Sequence, residues 1–135
     1  MSAFIAPGAD VSDAAVLGEG TKVWHLAQIR EEATLGENCI VGRGAYVGTG
    51  ASIGARAVCV APVTIGRWAT VAAGAVVAKD VPAFALMVGV PARRVGWVGK
   101  AGEPLKQDGE YWVCPATGQQ YRENGNTLSE VEDNA

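Results

Sequence analysis

The stretch Ala33-Thr-Leu-Gly-Glu-Asn-Cys-Ile-Val-Gly-Arg-Gly-Ala-Tyr-Val-Gly-Thr-Gly-Ala-Ser-Ile-Gly54 repeats itself every six residues. An aliphatic residue recurs at Leu35, Val41, Val47 and Ile53, and two places before each stands a small one, Ala33, Cys39, Ala45 or Ala51. Followed outward in both directions, the register runs through Ile5, Val11, Leu17, Val23, Ile29, Leu35, Val41, Val47, Ile53, Cys59, Ile65, Val71 and Val77 without a break. Val, Ile, Leu and Cys make up about a quarter of the chain. Thirteen successive hits by accident would therefore have odds on the order of 10⁻⁸. A fixed short period of this kind is the mark of a repeat architecture.

Strand geometry gives the repeat its meaning. Alternate side chains of a strand share a face, so the small and the large residue of each hexad both point inward. Gly follows the large residue at Gly18, Gly36, Gly42, Gly48, Gly54 and Gly66, where it is expected to supply the backbone freedom a corner needs. Three short strands per turn make a triangular prism. Residues eighteen apart then stack as ladders: Val11, Ile29, Val47 and Ile65; Leu17, Leu35, Ile53 and Val71; Val23, Val41, Cys59 and Val77. The fold class is all-β, a parallel β-helix of about four coils with a C-terminal extension and hairpin, each coil burying the ends of its neighbours.

Three segments are expected. Residues 1–80 form the hexapeptide-repeat helix, whose stack stops near Val77 because Lys79-Asp-Val-Pro82 breaks the register. Residues 81–98 leave the prism and pack on it, with Pro82 and Pro91 bracketing the apolar run. Residues 99–135 hold a linker, a hairpin and an acidic tail frayed from Ser129 onward. The hairpin pairs Glu110–Cys114 with Gln119–Glu123 across the turn Pro115-Ala-Thr-Gly118.

Composition narrows the function. The 135 residues are 49% hydrophobic with 18 Gly and a net charge of −3, which argues against nucleic acid as a partner. Apolar runs are too short for a membrane span, and the N-terminal residues have no signal-like pattern, so a cytoplasmic location is expected. Cys39 and Cys59 fall on inward positions and read as small core hydrophobes, while Cys114 stands alone; no disulfide or metal is expected.

The hexad run, followed by Ala73-Gly-Ala-Val-Val-Ala-Lys-Asp-Val-Pro82 and then Gly89-Val-Pro-Ala-Arg-Arg-Val-Gly96, resembles the left-handed β-helix acyltransferases that use acyl-CoA. More narrowly, Gly20-Thr-Lys-Val-Trp-His-Leu26, Val95-Gly-Trp-Val98 and Trp112-Val-Cys-Pro-Ala-Thr-Gly118 resemble bacterial N-acetyltransferases acting on UDP-2-acetamido-3-amino-2,3-dideoxyglucuronate in surface-polysaccharide (lipopolysaccharide) synthesis. The resemblance implies a left-handed coil, a homotrimer, acetyl-CoA as acyl donor and a UDP-amino sugar as acceptor. The family carries further coils between the segments matching Gly44–Gly50 and Ala51–Arg56, and this chain lacks them. The hexad phase still runs from Val47 to Ile53 without a slip, so the shortened prism is expected to stack.

The chemistry so implied is attack of a neutral sugar amine on a thioester, aided by holding the partners together and by a base or water that takes the proton. His25, the only histidine, is the candidate catalytic base, and Trp24, His25, Gln28 and Arg30 are the candidate acceptor contacts. A plainer role for Trp24 and His25 is a packed ledge at a subunit interface. For the cofactor, the resemblance points to Ala73, Gly74 and Lys79 along the pantetheine arm and to Gly89, Pro91, Ala92, Arg93 and Arg94 at the adenine end, where the arginines suit phosphates. The same two arginines also suit a solvated surface turn. Two other classes of function are weighed: a non-catalytic trimeric scaffold or regulatory paralogue, and a zinc hydratase like the γ-class carbonic anhydrases, which a single histidine disfavours.

Overall fold

Strands of two residues are too short to hold by themselves, and the chain forms thirteen of them because each pairs with a strand of the neighbouring coil. The computed structural model describes residues 2–132. The chain winds as a left-handed parallel β-helix. Its first face carries β1 (Phe4–Ile5), β4 (Lys22–Val23), β7 (Ile40–Val41), β10 (Val58–Cys59) and β13 (Val76–Val77). The second carries β2 (Asp10–Val11), β5 (Gln28–Ile29), β8 (Tyr46–Val47) and β11 (Thr64–Ile65). The third carries β3 (Val16–Leu17), β6 (Thr34–Leu35), β9 (Ser52–Ile53) and β12 (Thr70–Val71), continued by β14 (Ala85–Val88) and β15 (Arg93–Trp97). Registers are those of the hexads: Val23 pairs Val41, Ile29 pairs Val47 and Leu35 pairs Ile53.

Every ladder residue from Val23 to Val77 is buried, as are the Ala, Cys and Val residues two places before them. Burying each large member contributes roughly 2 kcal/mol. At the first coil the ladders run out into solvent: Ile5 is 47% exposed, and Val11 and Leu17 are only partly buried.

The corners work differently from expectation. The glycines at Gly18, Gly36, Gly42, Gly48, Gly54 and Gly66 do not have positive φ. A Cβ on Gly36 would stand 2.7 Å from the backbone nitrogen of Ala55, and one on Gly54 or Gly66 2.4 Å from that of Ala73 or Ala83. Close approach of the next coil excludes a side chain there. The left-handed conformation falls two residues later, at Gly20, Gly44, Gly50 and Gly74, and equally at Leu26, Glu32, Asn38, Arg56 and Trp68. These residues accept the strain because the coil above and below binds their backbone, as Gly44 N–H donates to His25 O.

Nor does the stack stop at Val77. The corner after it is two residues short, so Val81 pairs Ile65 and Met87 pairs Val71, sixteen residues on instead of eighteen. Asp80 closes that tight corner by accepting the Thr64 N–H through Oδ1 at 2.9 Å. Residues 81–88 thus supply the remaining sides of a fifth turn, and only at Gly89 does the chain reverse, β15 returning antiparallel along β14.

The hairpin is half of a four-stranded meander: β16 (Lys106–Asp108), β17 (Tyr111–Val113), β18 (Gln120–Asn124) and β19 (Thr127–Glu130). The meander packs on its own prism. The Tyr121 ring lies 5.3 Å from Phe84, its hydroxyl accepts the Lys100 N–H, and Trp97 Nε1 donates to Glu123 at 2.6 Å. Leu105, Cys114 and Leu128 join the same core. Ser129 and Glu130, expected to be frayed, are in β19, and residues 133–135 of the acidic tail lie outside the described residues.

Candidate active site

Trp24 and His25 stand at the corner between the first and second faces, in the second coil. Trp24 lies two places beyond outward-facing Lys22, and its ring is 5.5 Å from Phe4 and 6.3 Å from His25. All four side chains are exposed. Nothing in this corner hydrogen-bonds the imidazole among the described residues, leaving it open to a bound partner.

Gln28 and Arg30 do not join them. Gln28 faces outward on β5, on the second face, and pairs in register with Asp10 and Tyr46. Arg30 is held by Asp10, at 3.1 Å, and by Glu31. The pairing raises the guanidinium pKa, chiefly through the Glu31 hydrogen bond, and the Glu31 carboxyl is lowered, first by a backbone N–H and then by Arg30. An arginine so engaged has little left for an acceptor.

Most of the expected cofactor residues do come together. Ala73 and Gly74 form the corner from the third face to the first in the topmost full coil, and a Cβ on Gly74 would meet nothing within 4 Å. Beside them Val76 N–H donates to Gly89 O at 3.0 Å and Val76 O accepts the Ala92 N–H at 2.8 Å, so Gly89, Pro91 and Ala92 are clipped to β13. Arg93 and Arg94 follow on β15, both exposed. Arg94 lies over the Trp97 ring at 4.2 Å and lines a hollow of about 610 Å³ with Thr64, Asp80, Pro82 and Met87. Lys79 is apart, at the far corner of the first face.

His25 lies well below these groups. It shares a corner column with Arg43, Ala61 and Lys79, and three rungs separate its coil from that of Lys79. At the usual strand spacing this is about 14 Å of prism height.

Between the two corners the first face carries a shallow trough of about 600 Å³, lined by Phe4, Gly20, Lys22, Trp24, Asn38 and Ile40. Phe4, Lys22 and Ile40 stack one above another on β1, β4 and β7. Asn38 reaches over Gly20, where a Cβ would stand 2.2 Å from its Oδ1. Phe4, Lys22 and Asn38 were missed in the sequence because only inward positions were stacked; stacking the outward ones at the same eighteen-residue step would have brought them together.

The buried thiols offer no nucleophile. Burial, with the Cys39 thiol nearby, pushes Cys59 up to about 12, and burial raises Cys39 as well. Cys114 is lowered, foremost by the Thr117 hydroxyl and then by backbone N–H groups of Thr117 and Ala116, but it is enclosed beneath the meander. No group of three or more His, Cys, Asp or Glu capable of holding a metal occurs among the described residues, and no helix there is long and apolar enough to cross a membrane.

The repeats and the coil make this a left-handed parallel β-helix of hexapeptide repeats. Residues 14–49 match the family model "Bacterial transferase hexapeptide (six repeats)". Over 75 residues the chain is 37% identical to the dTDP-3-amino-3,6-dideoxy-alpha-D-galactopyranose 3-N-acetyltransferase of Aneurinibacillus thermoaerophilus, covering 56% of this chain and 38% of that one. Among solved structures it is similar to serine acetyltransferase from Brucella abortus strain S19, at 28% identity and a TM-score of 0.65, over 69% of this chain and 42% of that. A serine acetyltransferase in complex with CoA matches at 28% identity and a TM-score of 0.56, over 70% and 39%. The chain therefore spans about two-fifths of the length of the relatives it matches.

Proposed function

We propose that the protein is an acetyl-CoA-dependent N-acetyltransferase acting on an amino sugar nucleotide in surface-polysaccharide synthesis, working in the cytoplasm as a homotrimer. The observation that carries this reading is the joint likeness to a sugar-nucleotide N-acetyltransferase in sequence and to a CoA-bound acetyltransferase in coil geometry. The clip of Gly89 to Ala92 on β13, beside open Gly74, supports a donor site at the upper end of the prism. Arg93 and Arg94 would meet the phosphates there, and Lys79 would serve the site of an adjoining copy. The height between these groups and His25 suits an extended pantetheine arm laid along the prism axis, with its thioester at the second coil.

In the reaction the amine nitrogen attacks the thioester carbonyl carbon. A C–N bond forms and the C–S bond breaks; the sulfur leaves as thiolate. His25 takes the ammonium proton and can return it to the thiolate, so the site ends as it began. Charge on the carbonyl oxygen is best met by a fixed backbone N–H.

Calorimetric titration with acetyl-CoA and with free CoA tests the reading. It is expected to give one saturable site per chain, weakened about tenfold by Arg94→Ala. Incubation with 3-amino sugar nucleotides should then yield a product heavier by one acetyl group in mass spectrometry, lost in His25→Ala. Absence of CoA binding would favour the trimeric scaffold, a reading that the engagement of Arg30 by Asp10 and Glu31 also favours.

A further inference from the structure

The trough on the first face sets the Lys22 ammonium group among exposed apolar side chains, of which the Phe4 and Trp24 rings pack together. Lys22 is exposed between Phe4 and Ile40 and makes no ion pair among the described residues. Asn38, also exposed, makes no side-chain hydrogen bond among the described residues, and Gly20 leaves its amide room to lie flat over the backbone. Trp24 is 38% exposed, Phe4 47% and Ile40 39%, so three large apolar side chains surround one free ammonium group. Burying this face against a second copy would strip water from Lys22 with no partner on this chain, at considerable cost. An anionic ligand with apolar parts meets both needs.

The order of the groups along β4 gives the ligand a shape. From the Asn38 and Gly20 corner, past Lys22, to Trp24 and His25 is at most about 16 Å of extended chain, comparable to a nucleoside diphosphate sugar. The hollow of about 600 Å³ lies within the range of small-molecule sites. An amide such as Asn38 offers one donor and one acceptor to the imide edge of a pyrimidine. An ammonium group is a point charge suited to phosphate. An exposed indole presents a flat apolar face to a sugar ring.

We propose that this trough is the acceptor subsite: a pyrimidine nucleoside diphosphate sugar lies along β4 with its base edge on Asn38, its diphosphate on Lys22 and its sugar against Trp24, beside His25. The assignment rests on the acyltransferase reading above and moves the acceptor from Gln28 and Arg30, on the second face, to the first.

The test is calorimetry on the full chain with UDP, dTDP and UDP-N-acetylglucosamine as probes, alongside separate titration with CoA. Both diphosphates are expected to bind saturably. Lys22→Ala should weaken all three probes about tenfold, while Trp24→Ala should weaken the sugar-bearing probe more than UDP. Thermal melts of each variant check folding, which these exposed side chains should leave unchanged. If CoA binds and the diphosphates do not, or if Lys22→Ala binds them as wild type does, the subsite is wrong and the acyltransferase reading stands. If neither CoA nor diphosphate binds, both fall. If Lys22→Glu alters the sedimenting mass and Lys22→Ala leaves nucleotide affinity unchanged, the face is a contact between copies and the proposal is overturned.

Discussion

At the level of single residues, two kinds of glycine in each corner do different work, and substitution separates them. Gly54→Ala drives a Cβ to 2.4 Å from the Ala73 nitrogen, a backbone atom that cannot give way locally. It should cost about 3 kcal/mol in urea unfolding. Gly74→Ala keeps a left-handed φ but meets open space, and about 1 kcal/mol is expected. Equal costs would mean the corner relaxes freely. The thiols give a second test. The Cys59 pKa rises on folding, so above the ordinary thiol value of 9.0 the unfolded chain releases a proton that the native chain keeps. Unfolding is thereby favoured, and stability that is complete below pH 9 should fall as pH rises toward about 12, at up to about 1.4 kcal/mol per pH unit. Urea midpoints at pH 8 and pH 10 measure it, and Cys59→Ala should flatten the dependence. The inward hexad residues were legible because burial imposes a residue type; the left-handed positions were not, since Leu26, Glu32 and Trp68 occupy them as readily as glycine does.

Among elements, the lesson concerns the end of the repeat. Composition changes at Lys79, and a reader of periodicity stops there, yet the strand edges of β11 and β12 still need partners, and a corner shortened by two residues lets Val81 and Met87 supply them. Hydrogen-bonding need outlasted the sequence signal. The meander shows the converse. Its central hairpin was legible from alternating Tyr111, Trp112 and Val113 and from the Pro115–Gly118 turn, but β16 and β19 are short and polar, and only their pairing marks them as strands. The meander's hold on the prism is concentrated in the Phe84–Tyr121 contact and the Trp97–Glu123 hydrogen bond. Phe84→Ala should therefore cost about 3–5 kcal/mol. It should also expose the segment from Gly99 to Gly102 to limited proteolysis while the coils stay folded by circular dichroism. Simultaneous loss of both would show the two parts to be one cooperative unit.

For the molecule as a whole, a narrow prism has little interior for its surface, and association of copies is the natural remedy. Sedimentation should give three times the 13.9 kDa chain mass; a monomer at micromolar concentration would remove any site that draws groups from two copies. The candidate site was legible only in part. Gly74 lies beside the Gly89–Ala92 clip on β13, whereas Gln28 stands on the second face past the corner that holds His25 and Arg30 is engaged by Asp10 and Glu31; which outward residues share a face depends on how many residues each corner consumes. Each ladder advances by whole coils. Such a molecule is a ruler graduated in steps of about 4.8 Å: adding or removing eighteen residues shifts the His25 end relative to the Arg94 end by one division and disturbs nothing else. If the donor lies along the prism as proposed, its length is set by a count, and inserting a single coil at Gly50 should lengthen the preferred acyl-carrier arm by one graduation.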